Sequence, residues 1–367
     1  MRIAQEVPIA ATGERPQSGG NVFESKPRTM IFLMKNRAAV VALGALLAFG
    51  AGARAEVPEV RIARQFSMGY LQFNVIEHEK LIQKHAAALG IPEVKVSGVR
   101  FNGPASMNDA LISDSVDIVG GSPNGMFTLW AKARGTPQEV RAITALVTLP
   151  YAITSNDPEI KTIADLGKCK KIPVPSVKVS SPAVTIQQAA AKLYGIKEFA
   201  RFDAATVTMS PADATIALLT KSADVNCVVA LPPYMQQQLE HPEIHVVANS
   251  FDLAGGPTTY TVAYTSLRFH DRNPKLYQAV YEALQEATER VRLDIRSAAR
   301  YWIEDSDSKL GIDFVAAAGS GPGTEWTTVP LNTLKAAGFM ADVGTIKVKP
   351  ASWKDYFFPE AYGLPGS

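Results

Sequence analysis

Residues 101–136, FNGPASMNDALISDSVDIVGGSPNGMFTLWAKARGT, hold two strand-like stretches that run straight into a proline-led helix, at Gly103-Pro104 and at Ser122-Pro123. Ser or Gly suits the helix N-cap, and Pro suits the first helical position, where its missing N–H costs nothing. Each junction leaves backbone N–H groups unpaired at the positive end of a helix dipole, beside the carboxyl end of a strand. Further along, the same device recurs at Ser181-Pro182 and Ser210-Pro211. Ligands of open α/β sheets sit at that strand edge, and helix N-termini favour anions there. Two junctions in each of two segments predict two sheets facing each other across a cleft. A fifth pair, Asn273-Pro274, follows the irregular run 268–272 and reads as ordinary capping. Repetition after strands, not the dipeptide itself, carries the functional reading.

Around that stretch the chain reads as alternating strands and helices. A strand at 60–65 leads to a loop at 66–73 carrying Gly69, then to a helix over 75–89 stopped by Gly90. Strands at 94–101 and 116–120 feed helices ending near Ser113 and Ala133. Three such units in succession imply a mostly parallel sheet. Residues 140–155 hold two extended segments around Thr148-Leu149-Pro150, a first crossing to another domain. A second series follows, with strands at 172–175, 205–209, 224–231 and 244–248. Its helices start at Ser181, at Ser210 (with Asp213 as a capping-box partner) and after Pro232-Pro233. Gly255-Gly256-Pro257 breaks the pattern, and a strand at 260–265 reads as the crossing back. A long helix over 274–301 and shorter C-terminal helices return to the first domain. The expected architecture is α/β and two-lobed, with residues 56–150 and 258–367 in one lobe, 151–257 in the other, and a two-strand hinge.

Residues 34–55, MKNRAAVVALGALLAFGAGARA, read as a secretory signal. Lys35 and Arg37 form its basic start, an apolar run of 13 residues follows, and Ala53-Arg54-Ala55 is a small-x-small site with cleavage after Ala55. Thirteen residues are too few to span a bilayer. Residues 1–33 form an upstream extension, which makes Met34 the natural start. A periplasmic location follows. Seven of the 37 Lys and Arg and three of the 35 Asp and Glu lie in residues 1–55, so the rest of the chain carries a net charge of −2. The basic balance of the whole chain is thus a leader effect and gives no reason to expect nucleic acid as a partner. Cys169 and Cys227, the two cysteines, either pair in an oxidising compartment or stand as separate buried thiols.

Catalytic patterns are absent from the sequence. Gly120-Gly121-Ser122-Pro123-Asn124 falls one residue short of a G-x-S-x-G elbow, because Asn124 stands in place of the second glycine. Ser122 therefore reads as a cap rather than a nucleophile. His241 and His245 flank Pro242, which spoils a shared helical face for a metal. His78 and His85 share a surface with Glu77 and Glu79 and read as a solvated face. Asp305-Ser306-Asp307 opens like a calcium loop but has Leu310 and Ala316 at the sixth and twelfth places. No catalytic residue, metal or cofactor is expected, and the protein reads as a binder rather than an enzyme.

At this level of detail the chain resembles periplasmic substrate-binding proteins of nitrate/sulfonate/taurine-type ABC importers. The likeness rests on the signal segment, the Gly69 loop, the 101–136 stretch, and PSVKVSSPAVTIQQAA, SPADATIALL and VNCVVALPPYM in the second lobe. The tail VGTIKVKPASWKDYFFPE extends it. The resemblance implies a type II periplasmic-binding-protein fold that closes on one small anionic or polar organic solute and hands it to an inner-membrane ABC permease, as a monomer. Position by position it implies ligand contacts at Ser67, Tyr70, Gln72, Asn102, Gly103, Ser106, Gly121, Ser122, Asn124, Lys178, Ser180, Ser181, Ser210 and Pro232. Several members carry an acidic residue where Pro232 stands, so the pattern argues against an ammonium-bearing ligand such as taurine. Two alternatives share the scaffold: an enzyme related to pyrimidine synthases, and a periplasmic sensor. A linked permease gene favours transport over sensing; turnover of a bound compound favours an enzyme.

Overall fold

The computed structural model describes residues 56–65 and 67–367; the leader, its cleavage site and Met34 lie outside them. In the first lobe β1 (Glu59–Arg64) is followed by a single 3-10 turn, Met68–Tyr70, and by two helices, α1 (Leu71–Glu79) and α2 (Leu81–Ala88). The sequence predicts one helix here. It breaks at Lys80, whose φ of 55° places a non-glycine residue in the left-handed region and turns the chain between two apolar faces. Next come β2 (Lys95–Arg100), α3 (Pro104–Ile112), β3 (Ile118–Gly121), α4 (Pro123–Ala133) and β4 (Val140–Thr148).

The second lobe holds β5 (Ala152–Ser155), β6 (Ile172–Val174), α5 (Ser181–Tyr194), β7 (Thr206–Thr208), α6 (Pro211–Leu219), β8 (Cys227–Ala230), α7 (Tyr234–Leu239), β9 (His245–Asn249) and α8 (Ser250–Ala254). The chain returns through β10 (Thr259–Ser266). It then builds α9 (Leu267–Arg272), α10 (Pro274–Leu293), α11 (Ile295–Ser306), α12 (Ile312–Gly319), β11 (Glu325–Trp326) and α13 (Thr333–Asp342). Two expectations change here. The run 268–272 is helical, because the Ser266 hydroxyl accepts from the Phe269 N–H and caps it. The long helix splits at Asp294, whose carboxylate accepts from the Ser297 N–H and starts a new helix.

One six-stranded sheet, ordered β11-β4-β10-β3-β1-β2, contains every strand of residues 59–148 and 259–326. Strands β1, β2 and β3 are parallel, whereas β10 runs antiparallel to both β3 and β4. The strands of the second lobe form a three-stranded sheet, β8-β5-β9, and a parallel pair, β6-β7. The chain passes between these bodies at Leu149-Pro150-Tyr151 and again at 255–258. At the far side of this passage the Tyr151 N–H donates to the Ser250 hydroxyl and the Ser250 N–H to the Tyr151 carbonyl. The first connection is thereby tied to the start of α8.

Packing fixes α4, whose start matters most below. Phe127 and Trp130 on its inner face lie edge-on to Tyr356, with ring centroids 4.7 and 5.8 Å away, and Trp130 Nε1 donates to the Asp355 carbonyl at 3.0 Å. The WKDYFF segment of the tail thus clamps α4 against the first-lobe sheet. In the second lobe Cys169 and Cys227 form a disulfide, which settles the alternative that the sequence leaves open.

Candidate functional site

Three proline-led helix starts converge where the lobes meet. At α4 the Ser122 hydroxyl accepts from the Asn124 N–H at 3.2 Å. At α5 the cap is Ser180 rather than Ser181: its backbone is extended, and its hydroxyl accepts from the Ala183 N–H at 3.4 Å and donates to the Ser176 carbonyl at 2.7 Å. Pro182 therefore sits one place inside the helix, where its missing N–H is still free of cost. This shift releases the Ser181 hydroxyl, which meets Ser122 Oγ across the two lobes at 2.9 Å, buried on both sides. At α3 the cap is Gly103. A Cβ there would stand 2.4 Å from the Pro175 carbonyl oxygen and 2.6 Å from Ser176 Oγ, so only glycine lets the lobes come this close.

Pro104, Ser122, Ser180 and Ser181 line a space of about 200 Å³ together with Tyr70 and Tyr260. Its walls are hydroxyls, rings and helix starts, without a charged side chain among them. Tyr70 Oη donates to Gln65 Oε1 at 2.6 Å, and Tyr260 hydrogen-bonds the Ser67 side chain. Burial pushes the phenols of Tyr70, Tyr151 and Tyr260 up, so all three stay protonated at neutral pH. A second space of about 480 Å³ shares Ser181 and Tyr260 with the first and continues past Asn124, Tyr151 and Thr185 to α13. Tyr151 Oη and Thr185 Oγ1 lie 2.6 Å apart there, and the Tyr151 and Tyr260 rings are 5.7 Å apart. Chemically the pair of spaces offers neutral donors and helix dipoles to a polar or anionic group, with aromatic walls for an apolar part.

The predicted residues divide accordingly. Tyr70, Ser122, Asn124, Ser180 and Ser181 line these spaces, Gly103 lies at the contact of the lobes, and Ser67 supports Tyr260. Seven lie elsewhere. Gln72 is fully buried inside the first lobe, where its amide donates to the Leu146 carbonyl at 2.5 Å. Helix α1 starts at Leu71, and that turns its side chain inward. Gly121 faces the Tyr264 ring within the sheet. Asn102 and Ser106 are exposed, Ser106 donating to its own cap carbonyl at Gly103. Lys178 is exposed with a φ of 66°, a turn residue pointing outward near Asp203. Ser210 caps α6 by accepting from the Asp213 N–H and donating to its carboxylate, and lines neither space. Pro232 is buried beside a cis peptide to Pro233, and likewise lines neither space.

The sequence reading missed Gln65, Tyr151, Thr185, Tyr260 and Lys335. Tyr151 and Tyr260 were findable, since each is a large aromatic at the edge of a chain crossing. Lys335 arrives from α13, some eighty residues beyond the second crossing, and no local pattern points to it.

The sequence matches the model of a family described as NMT1-like over residues 53–303. This chain belongs to the NMT1-like family. No curated protein sequence matches it. Among solved structures, this NMT1-like chain is similar to the alkanesulfonate-binding protein SsuA of Xanthomonas axonopodis pv. citri bound to MOPS, with 20% identity and a TM-score of 0.62 over 84% of this chain and 98% of that one. It is similar to the periplasmic aliphatic sulphonate-binding protein SsuA of Escherichia coli, with 20% identity and a TM-score of 0.58 over 80% and 95%. The periplasmic nitrate-binding protein NrtA of Synechocystis PCC 6803 gives 14% identity and a TM-score of 0.61 over 82% and 84%. These likenesses establish the two-lobed periplasmic-binding-protein fold.

Proposed function

We propose that this NMT1-like protein is the extracytoplasmic solute-binding component of an ABC importer. It captures a small anionic or polar organic solute between its lobes and delivers it to a membrane permease. The observation that carries the reading is the convergence of helix starts from both lobes on one space, joined by the Ser122–Ser181 contact. Each helix start contributes about 0.3–1 kcal/mol to an anion, and up to ~2 kcal/mol when partly buried. Three of them with hydroxyl donors suit micromolar capture, about −8 kcal/mol after ordering costs. Because the lobes touch at Gly103 and at Ser122, a solute enters only when they part, and it favours the shut form by bridging both. The sulfonate and nitrate named for the structural neighbours are anions, the kind of solute that converging helix starts favour.

A thermal-shift screen of short sulfonates, nitrate, aromatic acids and pyrimidines, followed by calorimetry on any hit, tests the reading. The expected result is a rise in melting temperature with at least one anion and unchanged recovery of that compound. Chemical turnover of a bound compound, or no response to any anion, contradicts it.

A further inference from the structure

The two spaces, which share Ser181 and Tyr260 in their walls, differ in charge. The smaller one has no charged side chain, whereas the larger ends at Lys335, the one charged side chain lining either space among the described residues. Lys335 sits exposed on α13, a first-lobe helix, and its ammonium donates to the Ala254 carbonyl at the end of α8, just before the second crossing. Two further protons of that ammonium remain for another acceptor. Beside it, Asn332 Nδ2 donates to the Pro257 carbonyl at 2.6 Å and holds α13 against the crossing. Asn124, at the start of α4, lines the larger space together with Ser181 and Lys335 and is 5% exposed.

We propose that Lys335 is a second recognition point and that the preferred solute is a two-headed organic anion, one acidic group seated among the helix starts at Ser122 and Ser181 and the other paired with the Lys335 ammonium. This rests on the anion-binding reading above and adds the class of solute. A single small anion would leave Lys335 unused. A molecule with two separated acidic groups engages both the helix starts and Lys335, since Pro123, Asn124, Ser181 and Lys335 line the larger space together. The pairing also ties closure to α13, because Lys335 then bridges the solute and the end of α8.

Calorimetry on the purified protein with ethanesulfonate, 3-sulfopropionate and 4-sulfobutyrate separates the possibilities, since all three share the sulfonate head and only the last two carry a carboxylate. The expected result is that at least one sulfocarboxylate binds on the order of tenfold tighter than ethanesulfonate. Lys335→Gln then brings that ratio to about one, and Lys335→Arg preserves most of it. Equal affinities for all three probes in the unaltered protein overturn the inference while leaving the anion-binding reading intact. A Lys335→Gln loss shared equally by all probes also overturns it, because the lysine then only braces the crossing. If none of the probes binds, both statements fall.

Discussion

The two lobes use one device with different results. In the first lobe both proline-led helix starts that follow strands, at Gly103-Pro104 and Ser122-Pro123, reach the contact between lobes. In the second, the start at Ser180 to Pro182 does so, whereas Ser210-Pro211 closes a local ring with Asp213 and lines neither space. The supporting bodies differ too. A six-stranded sheet carries the first lobe, and the second has two small sheets and a disulfide. Capping chemistry is therefore local, and what turns a cap into a binding element is its place in the sheet order and the firmness of what lies behind it.

The largest effect expected from this comparison is on the second lobe's stability. Replacing Cys169 and Cys227 together by Ser releases a loop of 58 residues, and loop entropy puts the cost at about 4 kcal/mol. Denaturant unfolding checks this; a loss below about 1 kcal/mol would mean that the small sheets hold the lobe unaided. Next in size is Gly103→Val. Its backbone is extended, so valine fits locally, but the side chain strikes Pro175 and Ser176 and props the lobes apart. Small-angle scattering is expected to show a larger radius of gyration, with anion affinity reduced at least about tenfold, the scale of one lost charge-assisted hydrogen bond or more.

A paired test separates the second lobe's two starts. Ser181→Ala removes a buried hydroxyl at the contact and is expected to weaken anion binding by about 1 kcal/mol. Ser210→Ala is expected to cost about 1 kcal/mol of folding stability through its lost cap, with anion affinity retained. Titration of both variants with one sulfonate decides it, and equal losses of affinity would erase the distinction.

The smallest effect concerns the first lobe's surface. The Lys84 ammonium, with Arg290 and His85, holds the Glu286 carboxyl down to about 2 against an ordinary 4.5. A depressed carboxyl stabilises the fold above its unfolded value, and the contribution fades as pH falls from about 4.5 towards 2. Glu286→Gln is expected to flatten the acid limb of the melting-temperature profile slightly over that window. A profile that keeps its slope would assign acid sensitivity elsewhere.

Much of this arrangement was legible in the sequence because strands ending in Ser-Pro or Gly-Pro announce both an element boundary and a local geometry. Helix α5 covers the expected Ser181–Tyr194 and stops at Gly195, although its cap is Ser180 rather than Ser181. The breaks at Lys80 and Asp294 were not legible: a left-handed lysine has no composition signal, and the apolar spacing runs on across both sites. Site membership was harder still. Ser180 and Ser181 are equivalent as letters, and only the extended backbone of Ser180 decides which caps and which faces the opposite lobe. Gln72 and Gly121 lie within the expected loops, but a helix starting at Leu71 and the neighbouring Tyr264 ring direct them into the first lobe. Tyr151, Tyr260 and Lys335 meet through the crossings, which join residues far apart in the chain.

A crystal structure of the protein with a bound organic sulfonate tests the central claim most directly. The account predicts the sulfonate oxygens within hydrogen-bond reach of the Ser122 and Ser181 hydroxyls and the N–H groups opening α4 and α5, with both lobes in contact with the solute. A sulfonate held by one lobe alone, or on an outer face while Ser122 and Ser181 keep their mutual bond, would contradict it.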